Sequence, residues 1–200
     1  MGGGGAREEA VGFVVAGGQS RRMGTDKALL PWDNGTLLDR ALATLRALCP
    51  DVRILCGPSP RYLDRGVPVE TDRQAAGPLA GLETALVAAQ SRPALLLAVD
   101  LPMVEPALLS KLLNLFPGHD AVVPVVERPQ PLCAIYAPTC LEPVRRHLAA
   151  EDRKMTSFWP DVRVRQATET DLAGFALDRV FRNLNSRDDY EEARRLTAGR

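Results

Sequence analysis

The stretch VVAGGQSRRMGTDKALLPW, residues 14–32, places three glycines, two arginines and a lysine in one short loop after an apolar run. Glycines let backbone N–H groups approach phosphate oxygens closely, and basic side chains add charge-assisted hydrogen bonds to the same oxygens. The run that precedes the loop, residues 11–16, is rich in valine and is typical of a buried strand. A strand followed directly by such a loop predicts an α/β fold with an anion-binding turn at the carboxyl end of its first strand.

Strand-like runs alternate with segments of helical periodicity along the rest of the chain. This pattern predicts a single-domain, three-layer α/β/α, Rossmann-like fold with a mostly parallel sheet. The further strand candidates are residues 52–56, 67–69, 94–99, 121–126, 132–136 and 162–165. Helix starts are predicted at Pro78, at Pro106 and at the capping pairs Thr36/Asp39, Thr139/Glu142 and Ser186/Asp189.

The composition argues against several classes of protein. Lys plus Arg and Asp plus Glu number 25 each, which favours neither a nucleic-acid nor a membrane-surface protein. We expect a cytoplasmic location, because no apolar run could span a bilayer and no secretory signal is recognisable. The four cysteines form no CxxC pair, and neither His119 nor His147 lies beside a nucleophile motif, so a zinc site and a hydrolase triad are disfavoured.

The glycine loop differs from the two most familiar phosphate-binding loops. Residues 14–32 contain neither the Gly-Lys-Ser/Thr succession of a Walker loop nor the GxGxxG of a dinucleotide fingerprint. The residues alone leave open an ordinary strand-to-helix loop with solvated arginines.

Asp100 directly follows the run 94–99, so its carboxylate is expected at the carboxyl edge of the sheet, where it could ligate a divalent ion.

AGGQSRRMGTDKALL, residues 16–30, resembles the signature loop of the molybdenum cofactor guanylyltransferases, which reads roughly LAGGxSxRMGxDKALL. The resemblance continues in order through DRQAAGPLAGLETAL (72–86), LLLAVDLPMV (95–104), PLCAIY (131–136), EDRKMTSF (151–158) and FRNLNSRDDY (181–190). It implies the nucleotide-diphospho-sugar transferase, or glycosyltransferase-A-like, fold, with residues 11–200 as a single nucleotidyltransferase domain. The glycine-rich start MGGGGA predicts that residues 1–10 form a flexible leader. The implied reaction transfers GMP from GTP to (molybdenum-)molybdopterin and gives molybdopterin guanine dinucleotide and pyrophosphate.

The resemblance also implies roles for individual residues. Lys27, with Arg22 beside it, would neutralise charge on the phosphates, and Asp100 would hold Mg²⁺, with Mn²⁺ as the alternative ion. Asp72 would contact the guanine nucleoside. Asn183 and Asn185 match an NxN element that would face the acceptor or the metal, and asparagines ahead of a capped helix are equally explained by turn formation. The expected nucleotide-binding set is Val15, Ala16, Gly17, Gly18, Lys27, Asp72 and Asp100.

Two details bear on specificity. Relatives that use CTP typically carry AAG where this chain has Ala16, Gly17 and Gly18, so the double glycine favours GTP. Many family members have an asparagine at the end of the second strand, where this chain has Gly57, which leaves the base contacts less determined than the phosphate contacts. Arg153 and Lys154 could attract an anionic pterin or be solvated.

The partners expected from the resemblance are GTP, molybdopterin and, transiently, proteins that deliver molybdopterin or mature molybdoenzymes. Two alternatives stay open. One is a related nucleotidyltransferase that uses CTP or a different phosphorylated acceptor, and the other is a non-catalytic nucleotide-binding module.

Overall fold

The computed structural model describes residues 9–17, 26–72, 77–184 and 186–197. The strands of these residues are β1 (Val11–Val15), β2 (Pro31–Trp32), β3 (Gly35–Thr36), β4 (Asp51–Leu55), β5 (Val69–Glu70), β6 (Ala94–Ala98), β7 (Ala121–Val126), β8 (Arg128–Pro129), β9 (Cys133–Tyr136) and β10 (Val164–Ala167). The main sheet has the order β10-β7-β9-β6-β1-β4-β5, with β8 paired to β7 off this path, and β2 and β3 form a separate hairpin.

Helices cover the sheet. Those of the described residues are α1 (Leu37–Arg46), α2 (Pro78–Ala89), α3 (Pro106–Leu115), α4 (Leu141–Ala149), α5 (Leu177–Val180) and α6 (Arg187–Thr197). Short 3-10 turns lie at Lys27–Leu29, Leu63–Arg65, Pro138–Cys140 and Trp159–Asp161. Proline occupies the first turn of both α2 and α3, as predicted, where its missing N–H leaves no helical hydrogen bond unmade.

Both faces of the sheet are buried, which explains why the central strands are apolar along their whole length. On β1, Val14 faces a cluster that includes residues of α1, α3 and α6, whereas Phe13 faces a cluster that includes residues of α2 and α4. On β6, Leu97 and Leu96 alternate in the same way. The expected three-layer α/β/α arrangement is therefore confirmed, with β9 antiparallel to β6 and β7 in an otherwise mostly parallel sheet.

The predicted capping box at the start of α1 is present. The Thr36 hydroxyl accepts a hydrogen bond from the Asp39 N–H at 3.2 Å, and the Asp39 carboxylate accepts one from the Thr36 N–H at 2.9 Å. The same reciprocal pair joins Ser186 and Asp189 ahead of α6, at 3.1 and 2.8 Å. Both starts follow from interactions between residues three positions apart.

The capping pair predicted at Thr139 and Glu142 is wrong. Thr139 lies within the 3-10 turn Pro138–Cys140, and its hydroxyl donates to Asp120 Oδ1 at 2.8 Å instead of accepting from a helix N–H. The α4 helix begins one residue later than this pair predicts, with Cys140 at its N-cap position and no side-chain cap. A more distant acceptor has displaced the local pattern.

The order of strands locates the crevice of the fold. From β1 the chain proceeds to β4 and β5 on one side and then crosses to β6 on the other side. In open α/β sheets the ligand site lies outside the carboxyl ends of the strands at such a reversal.

Among the described residues, no helix combines the length and the apolar character that crossing a membrane would need. The four cysteines are buried and free.

Candidate active site

Two charged side chains named from the sequence meet at the carboxyl ends of β1 and β6. Lys27 begins the 3-10 turn that follows the glycine loop, and Asp100 lies in the turn after β6. Lys27 Nζ lies 3.7 Å from Asp100 Oδ2, and the two side chains are 15% and 27% exposed. The structure therefore places a cation and a carboxylate together at the edge where a ligand is expected.

The surroundings of Asp100 favour interaction with positive charge. Burial raises the pKa of the Asp100 carboxyl, and the nearby Lys27 ammonium opposes that rise. The main-chain carbonyl of Asp100 accepts a hydrogen bond from the Leu184 N–H at 3.2 Å, which ties this turn to the segment that carries Asn183. Within the described ranges, no three His, Cys, Asp or Glu side chains cluster in a way that could hold a metal ion.

A cavity of about 420 Å³ opens beside Asp100. Its polar lining comes from Asp100, Arg128, Gln130 and Asn183, and Met155 contributes a thioether. Arg128 is exposed, and no carboxylate in the described part of the chain forms an ion pair with it. The complete lining is Pro78, Ala98, Asp100, Leu101, Arg128, Pro129, Gln130, Pro131, Leu132, Cys133, Met155 and Asn183.

The backbone at the end of β1 is held from both sides. The Ala16 N–H donates to the Leu55 carbonyl at 2.8 Å, and the Val15 carbonyl accepts from the Val99 N–H at 3.1 Å. A Cβ on Gly17 would lie 3.1 Å from the Gly57 nitrogen, so any larger residue at position 17 would press on the backbone at the end of β4. The glycine loop therefore needs its first glycine for close approach to the neighbouring strand.

Gly57 has a φ of +80°. Asparagine adopts positive φ more readily than most residues, and a Cβ on Gly57 would meet only ordinary contact, 3.8 Å from the Gly17 Cα. The backbone at this position is thus compatible with the asparagine that the family resemblance leads us to expect here.

Asp72 follows β5 on the other side of the crevice. Its N–H donates to the Gly57 carbonyl at 3.0 Å, which fixes the residue beside the ends of β1 and β4. Its Oδ1 atom is buried and accepts no hydrogen bond from the described residues, and burial raises the pKa of its carboxyl. A buried oxygen of this kind is available to a ligand that donates hydrogen bonds.

Comparison with known proteins identifies the group to which this site belongs. A family model described as "MobA-like NTP transferase domain" matches residues 12–166. A relative from Pelotomaculum thermopropionicum named "Probable molybdenum cofactor guanylyltransferase" is 34% identical over 189 residues, which are 93% of this chain and 92% of the relative. The chain belongs to the molybdenum cofactor guanylyltransferase family. It is accordingly a nucleotidyltransferase, as the sequence motifs predicted.

Solved structures agree on the fold. Molybdopterin-guanine dinucleotide biosynthesis protein A from Archaeoglobus fulgidus has a TM-score of 0.80 and 23% identity, and the match covers 96% of this chain and all of that one. Rv0371C from Mycobacterium tuberculosis, solved in complex with manganese, has a TM-score of 0.65 and 21% identity over 94% of this chain and 98% of that one. The expected nucleotidyltransferase fold is therefore confirmed.

Several residues expected at this guanylyltransferase-family site lie either outside the described residues or away from the cavity. Gly18, Arg22 and Asn185 lie outside the described residues. Arg153 and Lys154 are exposed and do not line the cavity, although Met155 does.

Other residues at the site were missed by the sequence analysis. Arg128 and Gln130 reach the cavity from β8 and from the loop before β9, and Arg61 contacts the backbone at the ends of β1 and β4. Only their positions in the sequence could have indicated a role for these two arginines, because Arg61 closely follows the second parallel strand and Arg128 precedes the motif PLCAIY. The contacts of a charged side chain in a loop cannot be inferred from the sequence before the order of the strands is known.

Proposed function

We propose that this chain transfers GMP from GTP to molybdopterin, forming molybdopterin guanine dinucleotide and releasing pyrophosphate. The observation that carries the proposal is the approach of Lys27 and Asp100 to 3.7 Å, next to both the glycine turn and the cavity. This arrangement suits a reaction between two anions, which must be held together against their mutual repulsion. Family membership supplies the identity of the two substrates.

The nucleotide would occupy the side of the crevice formed by β1, β4 and β5. The backbone of Val15, Ala16 and Gly17 would line it, and Asp72 Oδ1, which has no hydrogen-bond partner among the described residues, would accept hydrogen bonds from the guanine nucleoside. Gly18 and Arg22 are proposed contacts from the family motif. Lys27 would neutralise the β- and γ-phosphates as pyrophosphate leaves.

The residues present fit a divalent metal ion. Mg²⁺ is commonly held by one or two carboxylates together with substrate phosphates, and it keeps several waters. Asp100 offers one such carboxylate at the edge of the crevice, and Asn183 lines the same cavity. When bound, Mg²⁺ or Mn²⁺ would neutralise charge on the phosphate oxygens, and the manganese complex of the Mycobacterium tuberculosis protein supports a divalent ion in this fold.

The acceptor would lie in the cavity beside Asp100. Arg128 can bind a phosphate or another anionic group of molybdopterin, the Gln130 amide can hydrogen-bond the pterin, and Met155 offers a polarisable contact to the ring system. Asn183 and Asn185 are proposed as further acceptor contacts. Proteins that deliver molybdopterin or receive the product are proposed as transient partners.

The chemistry requires no strong general base. The terminal phosphate of the acceptor is already an anion at neutral pH, and neither histidine of the chain lines the cavity. The work of these residues is alignment of the two substrates and neutralisation of charge, for which a preorganised cation and backbone amides are suited. Loss of water from the crevice would strengthen the charge neutralisation.

Nucleotide-dependent thermal stabilisation tests the proposal. The purified chain is melted with GTP, CTP, ATP or UTP, each with and without Mg²⁺, and the series is repeated on Asp100→Ala and on the exposed control Glu169→Ala. A ligand at about 100 times its Kd adds about 2.7 kcal/mol, or roughly 5–10 °C for a domain of this size. We expect GTP with Mg²⁺ to stabilise the wild type and the control most, and Asp100→Ala to lose most of the shift.

The pattern of shifts separates the alternatives. A larger shift with CTP would preserve the reaction type and change the product. A thermal shift with GTP and Mg²⁺ would favour a non-catalytic binding module if a separate assay with molybdopterin detects no release of pyrophosphate. Absence of any nucleotide effect would contradict the proposal.

A further inference from the structure

One guanidinium links three parts of the crevice. Arg61 Nη2 donates hydrogen bonds to the main-chain carbonyls of Ala16 at 3.1 Å and Cys56 at 3.0 Å, and Nη1 donates to Asp26 Oδ2 at 3.1 Å. Ala16 and Cys56 are the residues directly after β1 and β4, and Asp26 directly precedes Lys27. Arg61 therefore joins the ends of two parallel strands to the segment that carries the proposed catalytic lysine.

The neighbouring Tyr62 supports this arrangement. Its hydroxyl donates to the Asp26 carboxylate, with O···O distances of 2.9 and 2.7 Å to the two oxygens, and its ring centroid lies 5.1 Å from the Arg61 guanidinium carbon. Tyr62 is buried and has a φ of +64°, which is unusual for a bulky residue and costs free energy that the surrounding contacts must offset. These contacts hold Arg61 and Asp26 in one geometry.

The contacts of Arg61 fix the direction of two backbone N–H groups. In a trans peptide the C=O and the following N–H point in opposite directions, and the described residues contain no cis peptide. Since the Ala16 and Cys56 carbonyls face Arg61, the N–H groups of Gly17 and Gly57 point away from it. No described residue accepts a hydrogen bond from either N–H.

The two amides are also neighbours. The Gly57 nitrogen lies 3.1 Å from the position that a Cβ on Gly17 would take. Adjacent N–H groups at the ends of parallel strands, with no acceptor among the described residues, are suited to bind an anion or a carbonyl oxygen. One arginine thus orients a pair of donors on the nucleotide side of the crevice without occupying that side itself.

The Asp26 contact extends the effect to Lys27. Asp26 Oδ1 accepts a hydrogen bond from the Ala28 N–H at 3.1 Å, which caps the 3-10 turn that Lys27 begins. Because Arg61 and Tyr62 both bind the same carboxylate, the turn cannot rotate without breaking these contacts. The position of the Lys27 ammonium beside Asp100 depends on that turn.

We infer that Arg61 is a positioning residue for nucleotide binding, which orients the Gly17 and Gly57 amides and, through Asp26, the Lys27 turn. The inference rests on the proposed function, in that the ligand of these groups is the nucleotide. Arg61 acts through its neighbours and is not assigned a contact with the substrate.

The test compares Arg61→Met and Arg61→Lys with a matched control. Arg163→Met removes an arginine that makes three hydrogen bonds to Asp120, at the amino end of β7 and thus at the opposite edge of the sheet. One of these three, from the Arg163 main-chain N–H, survives the control substitution. For each protein the melting temperature, the KM for nucleotide and kcat are measured below the melting transition, after the wild type has been screened with all four nucleotides.

We expect Arg61→Met to raise the KM for the preferred nucleotide by at least tenfold, and to lower kcat because Lys27 is less well held. Arg61→Lys keeps a positive charge for Asp26, but its single ammonium cannot reproduce the two separate guanidinium contacts, Nη2 to the two carbonyls and Nη1 to Asp26. Its KM should therefore stay raised while kcat recovers in part. Arg163→Met should lower the melting temperature with KM within twofold of wild type. If Arg61→Met does not fold, Asp26→Asn, which keeps the Ala28 cap and weakens the Arg61 pair, should raise KM in the same direction.

Two results would overturn the inference. One is a KM within twofold of wild type in a folded Arg61→Met or Asp26→Asn variant, which would make the arginine purely structural. The other is a wild type that binds no nucleotide, which would remove the ligand as well as the proposed function. Preference for CTP would contradict the proposed substrate alone, and the Arg61 variants would then be judged with CTP.

Discussion

Replacing Lys27 by methionine tests the centre of the site, because the substitution removes the charge and keeps a side chain of similar length. Lys27 Nζ lies 3.7 Å from Asp100 Oδ2 in a partly buried position. Two unit charges about 4 Å apart interact by about 4 kcal/mol at an effective dielectric constant of about 20. A phosphate oxygen that gains charge at a comparable distance in the transition state would lose stabilisation of this order.

Only the part of that interaction that grows in the transition state affects kcat. Removal of one preorganised donor to a developing anion costs about 2.7–4 kcal/mol in well-studied enzymes, or about 10²–10³ in rate. We therefore expect Lys27→Met to lower kcat at least a hundredfold in an assay of pyrophosphate release with GTP, Mg²⁺ and molybdopterin. Lys111→Met, an exposed lysine on α3, is the control and should retain wild-type kcat.

A second effect of the same substitution concerns pH. The Lys27 ammonium lowers the pKa of Asp100 against the rise that burial causes, so its removal should raise the pKa of that carboxyl further. Asp100 must be ionised to bind a cation, and the acid limb of the kcat/KM profile should therefore move to higher pH in Lys27→Met. A kcat within threefold of wild type, with an unchanged acid limb, would refute the assigned role of Lys27.

Two further substitutions address the two substrate sides. Burial raises the pKa of Asp72, so the folded state binds its proton more tightly than the unfolded state, and this contribution to stability is lost as pH rises through the folded pKa. Asp72→Asn should consequently raise the melting temperature of the free protein at neutral pH, lose this gain in acid, and weaken GTP binding at least tenfold. An unchanged KM for GTP would contradict the proposed contact. Arg128→Met should raise the KM for molybdopterin at least tenfold and leave the GTP-induced thermal shift unchanged. The control Lys154→Met, outside the cavity, should alter neither quantity. An equal rise in the KM for molybdopterin and the KM for GTP in Arg128→Met would contradict a role of Arg128 in acceptor binding alone.

Features that depend on nearby residues were predictable from the sequence. The starts of α1 and α6 follow from side chains three positions apart, and those of α2 and α3 follow from proline in the first turn. Seven strands were predicted from apolar, β-rich runs, with ends displaced by up to two residues from those in the structure. The two-residue strands β2, β3 and β8 were not predicted. The failure at Thr139 shows the limit of this reasoning, because its hydroxyl bonds Asp120, 19 residues earlier in the chain.

Two residues of the candidate site could be named from sequence motifs, although their roles stay predictions. Lys27 and Asp100 were selected from separate motifs, and the order of the sheet then brings their carboxyl-edge positions together. Arg128 and Arg61 belong to loops whose composition resembles any solvated loop. Nothing local distinguishes them from the exposed Arg153.

The sequence by itself determined the fold class, most of its elements and the family, because each depends on short-range patterns or on motifs that can be compared directly. Tertiary structure alone decided which of these elements meet. The 3.7 Å approach of Lys27 to Asp100, the cavity beside Asn183 and the contact of Arg61 with Ala16, 45 residues away in the chain, all arise from the order in which strands pair. That order is set by simultaneous burial of both faces of the sheet, a condition on the whole chain that no single segment expresses.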